Sequence, residues 1–258
     1  LKYAIFQGDN RTDSITFAVR VGDDEMRSRL LDPDRFDAAA GALPATAPWV
    51  DPDLAEPLTE VHVMGGLRNR RIAFTDASGD PIAPGLLAVG DAHTCTNPLY
   101  GRGCSLAMVQ AELAADALER HPEDPVAAGR AYEEASAREI EPWYHASLAQ
   151  DRMARKAAEA ERARARAGEG EEAEVDPEAE QAATMADVMR EGLLPAVRMD
   201  PVVFRAFIRA FNLLATPDAL MGDTEVMARV MAVYADKENR PPEPVLGPPR
   251  HEMLATLA

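Results

Sequence analysis

The sequence predicts an α/β protein, α+β overall, with strands concentrated near the start of the chain and helices near its end. Three observations support this fold class. Strand-like runs separated by turn residues occupy residues 1–83, an apolar run with a glycine loop and a helical pattern occupies residues 84–120, and residues 121–258 are helical in pattern almost throughout. With 258 residues, 47% of them apolar, the chain can form a substantial core.

The first 83 residues are predicted to form an antiparallel sheet with two short helices. The predicted strands are residues 2–7, 14–21, 60–64 and 70–75, and the predicted helices are residues 23–31 and 33–43. The segment GDNRTD between the first two strands is rich in turn formers, which indicates a hairpin. Asp32 is the expected N-cap of the second helix, followed by a proline at the first helical position.

Residues 84–120 combine a predicted strand, a loop and a predicted helix. The apolar run LLAVG shows no alternation of polar and apolar residues, as expected of a strand buried on both faces in a parallel sheet. After Gly103, apolar residues recur at the spacing of a helix. They are Leu106, Val109, Leu113 and Ala117.

The remaining residues, 121–258, are predicted to be mainly helical. The predicted helices are one or two within residues 124–150, then residues 152–167, 201–214 and 224–234. One of them carries an apolar stripe that favours core packing over a ligand-binding surface. The stripe consists of Phe204, Phe207, Ile208 and Phe211. Residues 168–180 hold seven acids and no base, so we expect a mobile, solvated insertion. Residues 240–250 hold five prolines and are predicted to be an extended tail.

Charge and cysteine content restrict the classes of function. A net charge of -17 argues against a general nucleic-acid surface, which needs clustered lysines and arginines. The two cysteines, Cys95 and Cys104, lack the spacing of a zinc site and cannot make a disulfide framework. We therefore expect no metal site, packing roles for both thiols and a reduced, cytoplasmic setting.

The sequence has no apolar run of about 18 residues that could span a bilayer. Its start lacks the charged and apolar regions of a signal peptide. It also lacks an initiator Met and enters a strand-like pattern at once. We expect the chain to begin partway through a larger protein.

The central motif has the form GD-x6-P-x2-G-x-G-x3-A. Its fixed positions are Gly90, Asp91, Pro98, Gly101, Gly103 and Ala107. This motif resembles the second flavin-binding motif of the FAD-dependent monooxygenases, the family of para-hydroxybenzoate hydroxylase, to which flavin-dependent halogenases and geranylgeranyl reductases are related. The resemblance covers residues 84–118. The segment GGLRNR, farther upstream, is similar to the strands that lead from the substrate domain to the FAD domain.

The resemblance implies that the chain is the C-terminal part of a Rossmann-like fold that binds FAD and NAD(P)H. Residues 1–83 would be part of an antiparallel-sheet substrate-binding domain. Residues 84–120 would be the last strand and helix of the FAD-binding domain, and residues 121–258 a helical extension. The GxGxxG loop that holds the ADP half of FAD in the family is not in the sequence. We expect it upstream of Leu1.

The resemblance also implies a set of cofactor-binding residues. Asp91 would bind the ribityl hydroxyls of FAD, and the glycines would let the backbone approach the isoalloxazine ring. The N-terminus of the following helix would favour negative charge on the reduced ring. The implied residues are Gly90, Asp91, Ala92, Pro98, Gly101, Arg102, Gly103 and Cys104.

In the reaction that the family implies, NAD(P)H reduces FAD, and a flavin C4a-hydroperoxide formed with O2 transfers one oxygen atom to a small organic substrate. This reaction requires no side-chain nucleophile or base, so the sequence identifies no catalytic residue. Halogenation and alkene reduction are alternatives within the same superfamily. A non-enzymatic helical interaction module, with the acidic insertion and the proline-rich tail as partner contacts, is an alternative of another class.

Polar residues close to the motif each have two interpretations. We expect His93 to be a loop residue packed near the cofactor rather than an acid–base catalyst. Arg102 is either a solvated loop charge or a contact for substrate or NAD(P)H. A small basic patch could attract an anion, although surface arginines are usually only solvated. It consists of Asn69, Arg70 and Arg71.

Overall fold

The computed structural model describes residues 1–167, 174–216, 218–242 and 246–258. The protein divides into two compact units, one made of Leu1–Gly66 with Pro242–Ala258 and the other of Leu67–Pro241. Helices and two small antiparallel sheets are present, which confirms the predicted α+β class. No helix within the described ranges is both long and apolar enough to cross a membrane. The domain boundaries predicted after residues 83 and 120 stay predictions.

Strands and helices are assigned as follows in the described part of the chain. The strands are β1 (Lys2–Gln7), β2 (Asp13–Ala18), β3 (Arg70–Arg71) and β4 (Thr94–Cys95). The helices are α1 (Asp24–Arg29), α2 (Pro33–Gly41), α3 (Gly103–Arg120), α4 (Pro125–Glu139), α5 (Glu141–Ala167), α6 (Pro177–Asp187), α7 (Leu194–Met199), α8 (Pro201–Phe211), α9 (Ala219–Gly222), α10 (Thr224–Ala235) and α11 (Arg250–Thr256). Short 3₁₀ turns lie at Ala47–Trp49, Gly90–Ala92 and Pro98–Tyr100, and a π-helical segment, Val188–Leu193, joins α6 to α7.

The first unit is built on the hairpin and the capped helices that the sequence predicts. β1 and β2 pair antiparallel, with Lys2 opposite Ala18. The Asp32 carboxylate accepts a hydrogen bond of 3.1 Å from the Arg35 amide, which confirms the predicted N-cap of α2. The core of this unit consists of Met26, Leu30, Ala39, Leu43, Met253 and Leu257.

Two of the predicted antiparallel strands are wrong or shorter than expected. Residues 60–64 form no strand, and Val63 and Met64 are exposed. Within residues 70–75 only β3 is a strand, and it pairs antiparallel with β4. Composition identifies residues that favour extended backbone, but a strand forms only where a partner runs beside it.

The segment LLAVG, predicted as a buried parallel strand, belongs to no sheet in the described chain. Residues 86–89 belong to no assigned sheet, and Leu86 and Val89 are 52% and 41% exposed. Ala88 is buried, and its carbonyl accepts a hydrogen bond from the Tyr132 hydroxyl rather than from a neighbouring strand. An apolar run predicts burial, whereas burial on both faces of a sheet requires neighbouring strands that the described residues do not provide.

The helix predicted after Gly103 is confirmed as α3, and the helices predicted within residues 124–150 are confirmed as α4 and the first turns of α5. α3 buries Leu106 against Ile140, at the junction of α4 and α5, and against Trp143 of α5. This cluster is the part of the core that lies beneath the central motif.

The predicted mobile acidic insertion, residues 168–180, lies partly outside the described residues, at 168–173. Its end is helical, because α6 begins at Pro177 and buries Ala179 in its first turn. The acids predicted a solvated segment, but alanines between them form a packing face against α5. The buried alanines of the cluster between the two helices are Ala157, Ala160, Ala179, Ala182 and Ala183.

α6, the π-helical segment and α7 follow one another without a break from Pro177 to Met199. The second half of this stretch packs against α8 and α10, which in turn contact α9. The buried residues of that cluster are Val188, Leu193, Ala196, Val203, Leu220, Val226 and Val230. The helices predicted at residues 201–214 and 224–234 are thereby confirmed, the first ending three residues early at Phe211.

The predicted burial of the whole phenylalanine stripe is wrong. Phe204 and Phe211 are 47% and 59% exposed, whereas Val203 is fully buried and Phe207 is half-buried against the cluster. α8 is apolar over a wide arc, so helical spacing selects more than one candidate face. The face with Val203 and Phe207 meets α10, and the face with Phe204 and Phe211 lies at the surface.

The predicted proline-rich tail, residues 240–250, lies partly outside the described residues, at 243–245. Its described part forms no helix or strand until α11 begins at Arg250. α11 was not predicted from the sequence. The buried side chains of Met253 in α11 and of Leu257, the residue after the helix, complete the core of the first unit.

Candidate functional site

The turn Gly90–Ala92 packs against the first half of α3. Gly90 has a φ of +60°, and its amide donates a hydrogen bond of 2.8 Å to the Oε1 atom of Gln110 on α3. A Cβ atom at position 90 would lie 3.4 Å from the Cβ of Ala107. Position 90 therefore favours glycine for its left-handed backbone, whereas a Cβ atom there would make only an ordinary contact with the helix.

A group of buried polar side chains lies beneath this turn. His93, Thr94 and Gln110 are 1%, 4% and 0% exposed. The Nδ1 atom of His93 is 2.8 Å from Nε2 of Gln110 and 2.7 Å from Oγ1 of Thr94. Its Nε2 atom is 3.5 Å from a carboxylate oxygen of Glu133 and makes no hydrogen bond within the described residues. His93 is thus a buried hydrogen-bonding residue, in accord with the interpretation as a packed loop residue.

The loop before α3 is fixed by one carboxylate. Asp151 of α5 accepts hydrogen bonds of 2.5 Å from Asn69, 2.8 Å from Asn97 and 2.6 Å from the Tyr100 hydroxyl. Burial and then the Asp151 carboxylate raise the pKa of Tyr100, so its hydroxyl remains a donor. Asp151 therefore holds the Pro98–Tyr100 turn against α5.

Arg102 points inward over two aromatic rings. Its guanidinium carbon lies 5.0 Å from the centroid of the Trp143 ring and 5.5 Å from that of Tyr100. Burial lowers the pKa of Arg102, and its Nη1 atom makes no hydrogen bond within the described residues. Of its two interpretations, the solvated loop charge is wrong, because the side chain is half-buried.

The other motif residues form an exposed surface at the start of α3. Asp91, Ala92, Pro98, Gly101, Gly103 and Cys104 are all exposed. Gly101 has a φ of +65°, and a Cβ atom added at Gly101 or Gly103 would meet no atom within 4 Å. Arg102, the N-cap residue of α3, makes no side-chain hydrogen bond to the helix. This surface offers open space, backbone N–H groups and the Asp91 carboxylate.

The two cysteines differ in their surroundings. Cys95 is half-buried in β4, and burial followed by the nearby Asp91 carboxylate raises the pKa of its thiol. Cys104 is exposed in the first turn of α3. Neither forms a disulfide within the described residues. The packing role predicted for both thiols is wrong for Cys104, because that side chain is exposed.

Two of the three residues in the predicted basic patch, Asn69 and Arg71, make internal contacts. Asn69 binds Asp151, and its Oδ1 atom accepts a hydrogen bond of 2.8 Å from the Asn97 amide. The Arg71 guanidinium lies 3.9 Å from a carboxylate oxygen of Glu133 and 3.7 Å from one of Glu141. These two side chains are therefore not free to attract an anion, and that hypothesis is wrong for them.

Sequence reasoning missed Gln110, Glu133 and Asp151. A signal for Gln110 is present, because a polar residue four positions after Leu106 lies on the apolar face of the helix. The others hold parts of the site from α4 and α5, and no local pattern marks them. Among the described residues, no group of three or more His, Cys, Asp or Glu side chains could hold a metal ion.

None of the models of known protein families matches this chain, and no curated protein matches it.

Proposed function

We propose that this chain provides the ribityl and ring side of a FAD site in a flavin-dependent oxidoreductase, a monooxygenase that uses NAD(P)H and O2 to oxygenate a small organic substrate. One observation supports the proposal most directly. The Gly90–Ala92 turn is anchored to α3, and the residues around the start of that helix are small and exposed.

The side chains and backbone at this surface fit the chemistry of a flavin. The exposed Asp91 carboxylate can accept hydrogen bonds from hydroxyl groups of a ribityl chain. Open space above Gly101 and Gly103 allows a planar ring to approach the backbone. The N–H groups of the first turn of α3 favour negative charge beside them.

Three parts of the proposed site bind different parts of the flavin. Asp91 binds the ribityl hydroxyls, the loop from Pro98 to Gly103 lies against the ring, and the N-terminus of α3 stabilises its negative charge. When bound, the flavin would supply the redox chemistry with NAD(P)H and O2. The protein's residues bind it, orient it and exclude water from it.

A Rossmann-like fold for residues 84–120 is part of the same proposal. In such folds the ligand lies outside the carboxyl ends of sheet strands. Residues 86–89 lead directly into Gly90 and expose Leu86 and Val89, which is consistent with a strand whose neighbours lie outside the described residues. Those neighbours, with a GxGxxG loop, would bind the ADP half of the cofactor.

The test is an absorbance spectrum of the polypeptide expressed from its complete coding sequence. We expect the bands of oxidised flavin after purification or after reconstitution with FAD. Asp91→Asn should weaken FAD binding about 10-fold or more, because a charged acceptor of hydroxyl hydrogen bonds is lost. Asp37→Asn, at an exposed site of the first unit, is the matched control and should bind as the parent protein does.

Absence of flavin binding by the complete polypeptide would refute the FAD proposal. Equal FAD affinity of the Asp91 variant and its parent would refute the role of Asp91. Oxygen consumption stimulated by an organic substrate would support the monooxygenase. Anaerobic saturation of an alkene would favour an alkene reductase instead, and halogenation of the substrate would favour a halogenase.

A second candidate function is favoured by the exposed apolar face of α8. Phe204 and Phe211 of α8 are 47% and 59% exposed, and Leu214, which follows the helix, is 65% exposed. In a non-enzymatic helical interaction module, these side chains would contact the partner. That function predicts a complete polypeptide without flavin that loses partner binding when Phe211 is changed to Ser.

A further inference from the structure

We propose that Gln110 is a positioning residue that fixes the Gly90–Ala92 turn, and with it the direction of Asp91, by bridging the Gly90 amide to a single tautomer of His93. The effect on flavin binding rests on the proposed function. The hydrogen-bond arrangement itself does not, and it can be tested without any ligand.

The direction of the Gln110 amide follows from Gly90. A backbone N–H group can only donate, so the Gln110 atom 2.8 Å from it must be the carbonyl oxygen, Oε1. The amide nitrogen, Nε2, is then the atom 2.8 Å from Nδ1 of His93. An amide nitrogen donates and does not accept, so Nδ1 of His93 must be an acceptor.

The tautomer of His93 follows from this contact. With Nδ1 as acceptor in a neutral ring, the proton lies on Nε2, which faces the Glu133 carboxylate at 3.5 Å. A proton on Nδ1 would place two donors against each other, Nδ1–H and the Gln110 N–H. His93 and Gln110 are both at most 1% exposed, so bulk water does not compensate for such a mismatch.

In this arrangement the carbonyl oxygen of Gln110 anchors the turn by accepting the hydrogen bond of the Gly90 amide. Gly90 holds a left-handed φ of +60°, and its amide hydrogen bond to Gln110 ties that conformation to α3. Asp91 is the next residue and is exposed, so the direction of its carboxylate depends on the turn. Loss of the Gln110 amide would leave the Gly90 N–H without its partner and Nδ1 of His93 with the Thr94 hydroxyl alone.

The first experiment needs no flavin and uses ¹⁵N-labelled histidine and glycine in the complete polypeptide. In the parent protein, we expect ¹⁵N spectra to show a bare Nδ1 and a protonated Nε2 in His93. Gln110→Met should speed hydrogen exchange of the Gly90 amide about 10-fold or more. Gln110→Glu keeps an acceptor for Gly90 but cannot donate to Nδ1, so it should preserve slow exchange and place a proton on Nδ1.

Gln181→Met, on the exposed surface of α6, is the matched control and should change neither signal. A protonated Nδ1 in neutral His93 of the parent protein would overturn the inference. Unchanged exchange of Gly90 in Gln110→Met would also overturn it. If that variant does not fold, the tautomer of the parent protein and the Gln110→Glu pair of signals decide the question.

The second experiment measures FAD affinity for the same variants. We expect Gln110→Met to bind about 10-fold more weakly, Gln110→Glu to stay within about 3-fold of the parent and Gln181→Met to be unchanged. Equal affinity in all variants, with the parent binding FAD, would refute the positioning role alone. If the parent binds no FAD, the proposed function fails, and the tautomer and exchange results judge the inference by themselves.

Discussion

Asp23 joins two segments of the first unit that are distant in sequence. Its Oδ1 atom accepts a 3.2 Å hydrogen bond from the Met26 amide at the start of α1. The Arg250 guanidinium of α11 donates to the same carboxylate at 2.7 and 2.6 Å. The hydrogen bonds from Arg250 are the largest cause that lowers the pKa of Asp23 to about 2, while burial opposes the shift.

Asp23→Asn should make unfolding easier at neutral pH and have less effect in acid. Asparagine keeps the cap of α1 but loses the charge, and Arg250 is half-exposed, so we expect a loss of about 1 kcal/mol. Because the folded pKa lies below the unfolded value of 3.8, the stabilisation is complete above that value and is lost as pH falls toward about 2. Urea unfolding at several pH values checks this, and a difference that stays constant would contradict it.

Tyr132 connects α4 to the segment that leads into the motif. The side chain is fully buried, and burial raises the pKa of its hydroxyl, which donates to the Ala88 carbonyl. Tyr132→Phe should lower the free energy of unfolding by about 1–3 kcal/mol, because the carbonyl loses its partner. Tyr144→Phe, at a half-buried site on α5, is the control. Equal stability of the two variants in urea would refute the role of this hydrogen bond.

At the scale of elements, two neighbouring residues of α8 are expected to contribute unequally to the free energy of unfolding. Val203→Ala should cost about 1–3 kcal/mol, because it opens a cavity between α8 and α10. Phe204→Ala should cost less than about 1 kcal/mol, although it removes more atoms, since Phe204 is 47% exposed. Thermal unfolding of both variants tests the orientation of the helix. A larger loss for Phe204→Ala would show that α8 presents the opposite face to the core.

The close packing of α4 on a turn reverses the usual preference for alanine in helices. A Cβ atom at Gly129 would collide with the Pro81 ring, whereas one at Gly41 would meet no atom within 4 Å. Gly129→Ala should therefore destabilise the protein by about 1–3 kcal/mol. Gly41→Ala should stabilise it by up to about 1 kcal/mol. Urea midpoints measure both, and a stabilised Gly129 variant would contradict the contact with Pro81.

The difference between local and distant signals explains which elements the sequence predicted. α2 was predicted from its N-cap, and α3 and α10 were predicted from helical spacing, signals that lie within each segment itself. LLAVG was assigned to a buried sheet from its composition, but sheet pairing depends on other parts of the chain. The glycine turn was likewise predictable from its motif, whereas the contacts of Asp151 and Glu133 with it depend on how α4 and α5 pack.

For the whole molecule, the excess of acids over bases should make stability depend on salt. The chain has 44 acidic and 27 basic residues, and many of its ion pairs are exposed and weak. Raising NaCl from about 10 to about 150 mM shortens the screening length from about 30 to about 8 Å and should weaken the net repulsion. We expect a higher unfolding temperature in salt. A lower one would show that the ion pairs outweigh the repulsion.

The unbroken helical stretch from α6 to α7 makes the folding of two clusters cooperative. The cluster between α5 and α6 buries only alanines, whose small side chains contribute little apolar area each. The larger valine and leucine cluster begins within the π-helical segment, at Val188 and Leu193, and continues into α7. α6 is therefore ordered in part by packing of the segment that directly follows it. A break within Val188–Leu193 would separate the clusters and leave the α5–α6 pair to melt first.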